Sequence, residues 1–563
     1  MCIRLFFYLI NFFLTNIIIC VIIVDTMYIH RNFKRVKNKL YHSILIMKSI
    51  RVGKTVKHET VLNIFKLPES VIEAIDFSLK GGNVKSLSGI QDIKQRQGKS
   101  YGAIKVVVEI ANRIGLMQAL GNRREAILTL IMIAGRIICQ ESRWYLANFW
   151  SKEQSIKEIF KEEIKFSEDD LYDTLKWLSE NQREIEKRLW KNKIKGEGKE
   201  KVKEIFLYDV TSSYVEGEKN ELADYGYNRD EMRGKKQIVV GLMTDKEGDP
   251  LTIEVFKGNT NDHKTVIKQL EKIKQDYGVE RVVFIGDRGM LKAEQIKEIT
   301  NEPYRWNYIT AITKPQIEKL IKCEVLQIGL FDSELCEIEY EGIRYILRRN
   351  PIRAEEIRNN LERRIRFIED KVEGKNNYLE KHKRAKIDIA LKNLNQEIKK
   401  RNLDEIISFD KKDGMIIISI NQEAKEDYLR LSGCYVIKTD IPKDELSKEI
   451  IHNRYKDLTK VEQAFETLKS GLLEIRPIFV RKEASVKGHA FVCLLALKIT
   501  HYIEQALQSL SLPLKYIIRT LDKIQFRELI FKDNVSIKCL PEIYSDDQTS
   551  ILQTLKITFP KQL

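Results

Sequence analysis

The stretch EIFLYDVTSSYVEG, Glu204 to Gly217, constrains the fold more than any other. Four apolar residues, Ile205 to Tyr208, run straight into Asp209. An unbroken apolar run of this length reads as a strand buried on both faces, as in sheets with helices on either side. A carboxylate at its end is costly unless something compensates it. VVFIGDRGM repeats the arrangement, with Val282 to Ile285 apolar and Asp287 following at the strand end. One such Asp reads as a turn or cap residue. Two of them in one sheet point to a site, because strand ends in α/β sheets are where sites gather.

The flanking pattern supports an α/β sheet. QIVVGLMTDKEGDPLTIEVFKGN reads as a strand hairpin turning at Asp245 to Pro250, and NDHKTVIKQLEKIKQDYG as a helix capped near Asn261 or Asp262. LKAEQIKEI is a short helix and YITAIT a strand. Upstream, SILIMKSIRVGKTVKHETVLNIF reads as a small basic β-hairpin around Gly53, and Pro68 opens a helix. Residues 100–150 are helical, with AILTLIMIAGRIIC the expected core of an N-terminal domain. A further helix begins at Ser167, and Gly196 and Gly198 mark a linker before the strands. Between residues 313 and 445 the rhythm breaks into short strands, a long charged helical segment over 353–402, and an expected strand pair around GMIIISIN and GCYVIKTD.

A third acid comes from YKDLTKVEQAFETLKSGL. Leu458, Val461, Phe465, Leu468 and Leu472 form its buried stripe. Tyr455, Glu462 and Lys469 are seven apart, so they stack along the border of that stripe with a drift of only ~20° per step. Glu462 read alone is an ordinary solvated helix residue. With Asp209 and Asp287 it makes an all-oxygen set suited to a hard cation such as Mg²⁺. Two such ions stabilise the attacking and leaving oxygens of a phosphoryl displacement. His263 reads as a cap neighbour and Glu254 as an outward-facing strand residue.

Together the blocks YDVTSSYVEG, QIVVGLMTDKEGDPLTIEVFKGNTNDHKT, VVFIGDRGM and YKDLTKVEQAFETLKS resemble DDE transposases of bacterial insertion sequences. The nearest group carries a Tyr-x2-Arg-x3-Glu-x6-Lys signature; here it reads Tyr455, Leu458, Glu462, Lys469, with Leu in place of Arg. The resemblance implies an RNase H-like mixed sheet flanked by helices, interrupted by an α+β insertion domain, after a mainly helical N-terminal domain with its basic hairpin. It implies two Mg²⁺ or Mn²⁺ ions on the catalytic residues Asp209, Asp287 and Glu462. Lys469 would contact DNA near the element's end and Tyr455 would position the phosphate backbone, a contact Leu458 cannot make. Basic residues beyond the helix, Arg476, Arg481, Lys482, Lys487 and His489, read equally as a DNA path or a solvated loop. The implied parts are a DNA-binding domain over 27–200, a core over 201–312 and 446–510, the insertion at 313–445, and a helical tail at 511–563.

The implied partners are double-stranded DNA, as terminal inverted repeats and target, and a second copy of the chain on paired ends. The net charge of +16 agrees with a polyanionic partner, although a lysine-rich composition alone would produce it. Between Met27 and Glu59 there are nine Lys or Arg against one Glu. Eight scattered cysteines with no C-x-x-C pair give no support to a zinc ribbon or a thioredoxin-like site. Leu5 to Val24 carries no charge and is long enough to span a bilayer. It reads as an anchor, a signal core, or, as favoured here, in-frame translation upstream of a start at Met27, giving a cytoplasmic, nucleoid-associated protein without a membrane partner. Two rivals remain open: a non-catalytic DNA-binding protein derived from such an element, and an RNase H-like nuclease that never joins strands.

Overall fold

The computed structural model describes residues 26–36, 39–52, 55–80, 94–197, 204–332, 334–382, 384–530, 536–539 and 545–559. The apolar segment 5–24 and Gly198 lie outside them. Among the described residues no helix is long and apolar enough to cross a membrane. The chain divides into two compact units: residues 1–109, 141–168 and 503–563 in one, and 110–140 and 169–502 in the other. The apolar helix Arg124–Ile138, expected in an N-terminal core, thus groups with the second unit.

In the first unit the expected hairpin is a three-stranded antiparallel sheet: β1 (Thr26–Val36), β2 (Lys39–Val52) and β3 (Thr55–Asn63). The alternating apolar residues of β2 meet the following helix, Glu69–Leu79, in a small core of Ile44, Ile64 and Ile72. A second sheet joins distant parts of the chain. β4 (Lys94–Ser100) pairs antiparallel with Gln525–Ile530, which pairs with Ser536–Cys539. The C-terminal tail therefore contributes strands as well as the helices Leu514–Asp522 and Asp546–Thr554, where only helix was expected. Tyr101 locks this sheet by edge-on contacts with Phe526 and Phe559, ring centroids 4.9 and 5.2 Å away.

The second unit is built on an eight-stranded mixed sheet. Its strands are β5 (Glu204–Tyr214), β6 (Gln237–Asp245), β7 (Pro250–Lys257), β8 (Val282–Gly286), β9 (Asn307–Ala311), β10 (Cys336–Tyr340), β11 (Ile343–Arg349) and, after the β12 (Ile407–Lys412) and β13 (Met415–Ile420) hairpin, β14 (Cys434–Thr439). The order is β10-β11-β14-β9-β8-β5-β6-β7, with β5, β8 and β9 parallel and the other pairs antiparallel. The apolar runs of β5, β6 and β8 are buried because helices cover the sheet. One core joins Phe206, Tyr208 and Phe284 to Val266, Leu270, Ile299 and Trp190 from flanking helices. The helix Leu458–Lys469 packs on β5 and β6 through Leu458, Val461, Phe465 and Leu468, all buried as their spacing predicts.

The segment expected to be an insertion is partly in this sheet. β10, β11 and β14 extend its edge, and what leaves it is 350–433, a body with its own core of Leu361, Ile365, Ile368, Leu394, Ile398, Ile407 and Ile416. The charged helical segment is two helices, Pro351–Lys381 and Ile387–Lys400. GMIIISIN and GCYVIKTD do not pair with each other: the first is β13 and pairs with β12, while the second is β14, between β11 and β9. Both read as strands, but only the free edge of β9 decides which neighbour β14 takes.

Candidate active site

Register brings the two aspartates together. β5 and β8 run parallel with Tyr208 opposite Gly286, so the next residues, Asp209 and Asp287, emerge side by side at one level. β8 stops there, whereas β5 continues along β6 to Tyr214. Glu462 comes from the helix packed on β5. All three line one cleft of about 320 Å³, with Val210, Thr211, Arg229, Asp262, Gly289, Met290 and Phe465. Asp209 is half-buried, while Asp287 and Glu462 are exposed to the cleft. Burial pushes the Asp209 carboxyl up to about 7, with Asp287 and Glu462 adding to the rise and Arg229 opposing it. Partial desolvation, then Asp287, also raises Glu462.

The helix carrying the signature is divided. Lys448–Lys456 and Leu458–Lys469 meet at Asp457, so Tyr455 closes one helix and Glu462 sits on the next. The Tyr455 hydroxyl donates to Asp287 Oδ1 at 3.1 Å. Burial, and then Asp287, raise the Tyr455 phenol well above its ordinary value. Leu458 is in the core. Lys469 points inward: Nζ donates to Thr211 Oγ1 at 2.6 Å and to Asp230 Oδ1 at 2.8 Å. Burial lowers its ammonium from the usual lysine range, against the pull of Asp230. Arg476 bonds the same Asp230 oxygen. Arg481 and Lys482 are exposed, on a segment held beside β5 by the bonds of Ile478 with Tyr214 and Glu216. His489 is buried, near the Ile475 carbonyl at 3.2 Å. Glu254 is only partly exposed and pairs with Lys272 at 2.6 Å.

Three charged residues escaped the sequence reading. Asp230, with its side chain 1% exposed, accepts from Lys469, Arg476 and the Tyr214 N–H. Arg229 joins Asp262 through Nη2, at 2.6 Å from each carboxylate oxygen. Both Arg229 and Asp230 lie in the loop between β5 and β6, which has no periodicity to read. The only signal was the close spacing of Gly226 and Gly234 around an Arg-Asp pair. Asp262 was read as a cap, yet the Asn261 position makes no side-chain cap bond and the Asp262 carboxylate turns to Arg229.

A family model described as transposase DDE domain matches residues 200–499, which include all three acids. The chain belongs to this DDE transposase family. A comparison with curated proteins finds no match. Among solved structures, similarity is found to the cryo-EM structure of a piggyBac transposase synaptic complex with hairpin DNA. That likeness has a TM-score of 0.34 and 9% identity over 75% of this chain and 76% of that one, too remote to bear on function.

For a DDE domain the question is whether these side chains suit divalent cations. Among the described residues, no group of three or more acidic, histidine or cysteine side chains is drawn tightly enough to hold a metal ion. The chemistry of the set nonetheless fits one. Its donors are all hard carboxylate oxygens, and burial and the other two acids push the Asp209 carboxyl up to about 7, a penalty on its charged form that a cation in the cleft would offset.

Proposed function

We propose that this chain is the DNA transposase of a bacterial insertion sequence, in the group with the Tyr-Arg-Glu-Lys signature, and that it binds the element's terminal inverted repeats as a homodimer on paired ends. The support for an RNase H-like core is the sheet order β9-β8-β5-β6-β7, with only β6 antiparallel to its neighbours β5 and β7. The reading rests chiefly on one observation: Asp209, Asp287 and Glu462 line a single cleft inside the matched DDE domain.

In this reading Asp209, Asp287 and Glu462 would hold two Mg²⁺ or Mn²⁺ ions. When bound, the ions supply electrostatic stabilisation to the attacking and leaving oxygens of an in-line displacement. Tyr455 holds Asp287 in place through its hydroxyl. Lys469, kept rigid by Thr211 and Asp230, offers a fixed positive charge beside the β5 end of the cleft. Arg481 and Lys482 track the DNA backbone from the exposed segment, and the basic N-terminal sheet binds the repeats. Water cleaves at the element's ends, and the freed 3′-hydroxyl then attacks target DNA at the same site.

The test incubates the protein with labelled duplexes copied from the DNA flanking its gene, Mg²⁺ and a target plasmid. Cutting and joining support the proposal. Binding alone would mark a non-catalytic derivative, the reading that Leu458 favours, and cutting alone a nuclease. Asp209→Ala, Asp287→Ala and Glu462→Gln are each expected to abolish cleavage and leave duplex affinity within about threefold, a change under 1 kcal/mol. Full cleavage by any of the three would overturn the assignment.

A further inference from the structure

Deepening the proposed function, and resting on it, we infer that Arg229 binds the phosphate undergoing cleavage and supplies the guanidinium that Leu458 removes from the signature helix.

The argument begins with charge. Asp209, Asp262, Asp287 and Glu462 line the cleft, and before any divalent ion is bound a DNA phosphate entering beside these carboxylates is repelled unless a cation of the protein faces it. Leu458 is in the core and offers none. Lys469 places its charge beside the β5 end of the cleft but is not among the residues that line it, its Nζ being turned to Thr211 and Asp230. Arg229 lines the cleft, with its side chain 23% exposed, and its charge is felt at Asp209.

Its placement is fixed on three sides. The Arg229 N–H donates to Ser212 Oγ at 3.0 Å, three residues beyond Asp209 on β5. The next residue, Asp230, is clamped by Lys469, Arg476 and the Tyr214 N–H. The guanidinium itself is held by Asp262, whose carboxylate faces the turn after Asp287: a Cβ added at Gly289 would stand 3.8 Å from Asp262 Oδ2.

Only Nη2 is used in that grip. Among the described residues, Nε and Nη1 of Arg229 make no hydrogen bond, so N–H donors on either side of the Nη2 grip remain available. Held in one plane by Asp262, each of these donors can meet a single phosphate oxygen in a fixed direction, which the rotating ammonium of lysine does not provide. Asp262 acts as a positioning residue, orienting the fork without contacting the DNA.

The test uses duplexes copied from the flanking DNA, with or without a neutral methylphosphonate at the cleavage position mapped with wild-type protein. Binding is read without divalent cation, so that no strand is cut. Wild-type protein should lose about tenfold in affinity on methylphosphonate substitution, the effect of one charge-assisted hydrogen-bonded contact. Arg229→Gln should bind both duplexes alike, show a salt dependence shallower by about one counterion, and cleave at least about tenfold more slowly. Asp262→Asn keeps the guanidinium and should keep the methylphosphonate penalty. Arg229→Lys keeps charge but not the planar, oriented guanidinium, and should recover binding more than cleavage. An unchanged methylphosphonate penalty in Arg229→Gln would overturn the inference while leaving the transposase reading intact. Wild-type protein that neither binds nor cuts these duplexes would overturn both.

Discussion

At the residue scale, the hydroxyl of Tyr455 does more than its place in a signature suggests. It donates to Asp287, whose backbone is held by the turn after β8, its carbonyl accepting from the Met290 and Leu291 N–H groups. Asp287 is exposed, so this bond is what selects its rotamer among those open to a surface aspartate. A hydrogen bond to a charged group contributes about 1.5–3 kcal/mol. Tyr455→Phe removes the hydroxyl and leaves the ring. The expected result is cleavage slowed about tenfold or more at low Mn²⁺, partly restored at high Mn²⁺, with duplex affinity unchanged. Rescue by Mn²⁺ separates positioning of a metal-holding acid from loss of a DNA contact, which added Mn²⁺ does not replace. A wild-type rate at every Mn²⁺ concentration would remove Tyr455 from the site.

At the scale of elements, the helices around the sheet depend on close backbone approach as well as on apolar stripes. Gly488, in the helix Glu483–Ala506, lies against the long helix Glu168–Glu197: a Cβ there would stand 2.0 Å from the Leu175 carbonyl oxygen. The obstacle is backbone, so the helices must move apart. Gly488→Ala gains about 1 kcal/mol in helix propensity, yet it is expected to destabilise the fold by roughly 1–3 kcal/mol net through overpacking. Thermal melting reads this, and a variant melting at or above the wild-type temperature would show that the contact is loose. What could be read from sequence at this scale follows the same division between local and distant. The runs ending in Asp209 and Asp287 declared two buried strands, and seven-residue spacing put Glu462 beside a buried stripe, because both signals are local. The pairing of β14 with β9, and of β4 with Gln525–Ile530, is set by which edges remain free after collapse, and no local pattern carries that. Arg229 and Asp230 were missed for a related reason. Their loop has no period, and their partners Asp262, Lys469 and Arg476 are 33, 239 and 246 residues away.

For the molecule as a whole, buried charge ties distant parts of the chain to one turn of the sheet. Asp249, at the β6–β7 turn, accepts from Lys498 on the helix Glu483–Ala506 at 2.7 Å and from Lys193 on the helix Glu168–Glu197 at 2.7 Å. Burial alone would raise its carboxyl, but Lys498 and Lys193 outweigh burial and lower it to about 2. The sign of the pH effect follows. An aspartate with a folded value below its unfolded one, near 3.9, favours the folded state fully only above the unfolded value. That contribution, roughly 2 kcal/mol, is lost as pH falls from about 4 towards 2. Protonation also leaves Lys498 partly buried against a neutral acid, while Lys193 keeps its pair with Asp245, and this adds to the loss. The melting temperature of the wild-type protein should therefore fall steeply between about pH 4 and pH 2, and Asp249→Asn should melt lower at neutral pH with a shallower acid dependence. Parallel melting curves for the two proteins across that range would mean that the pairs of Asp249 with Lys498 and Lys193 add nothing to stability.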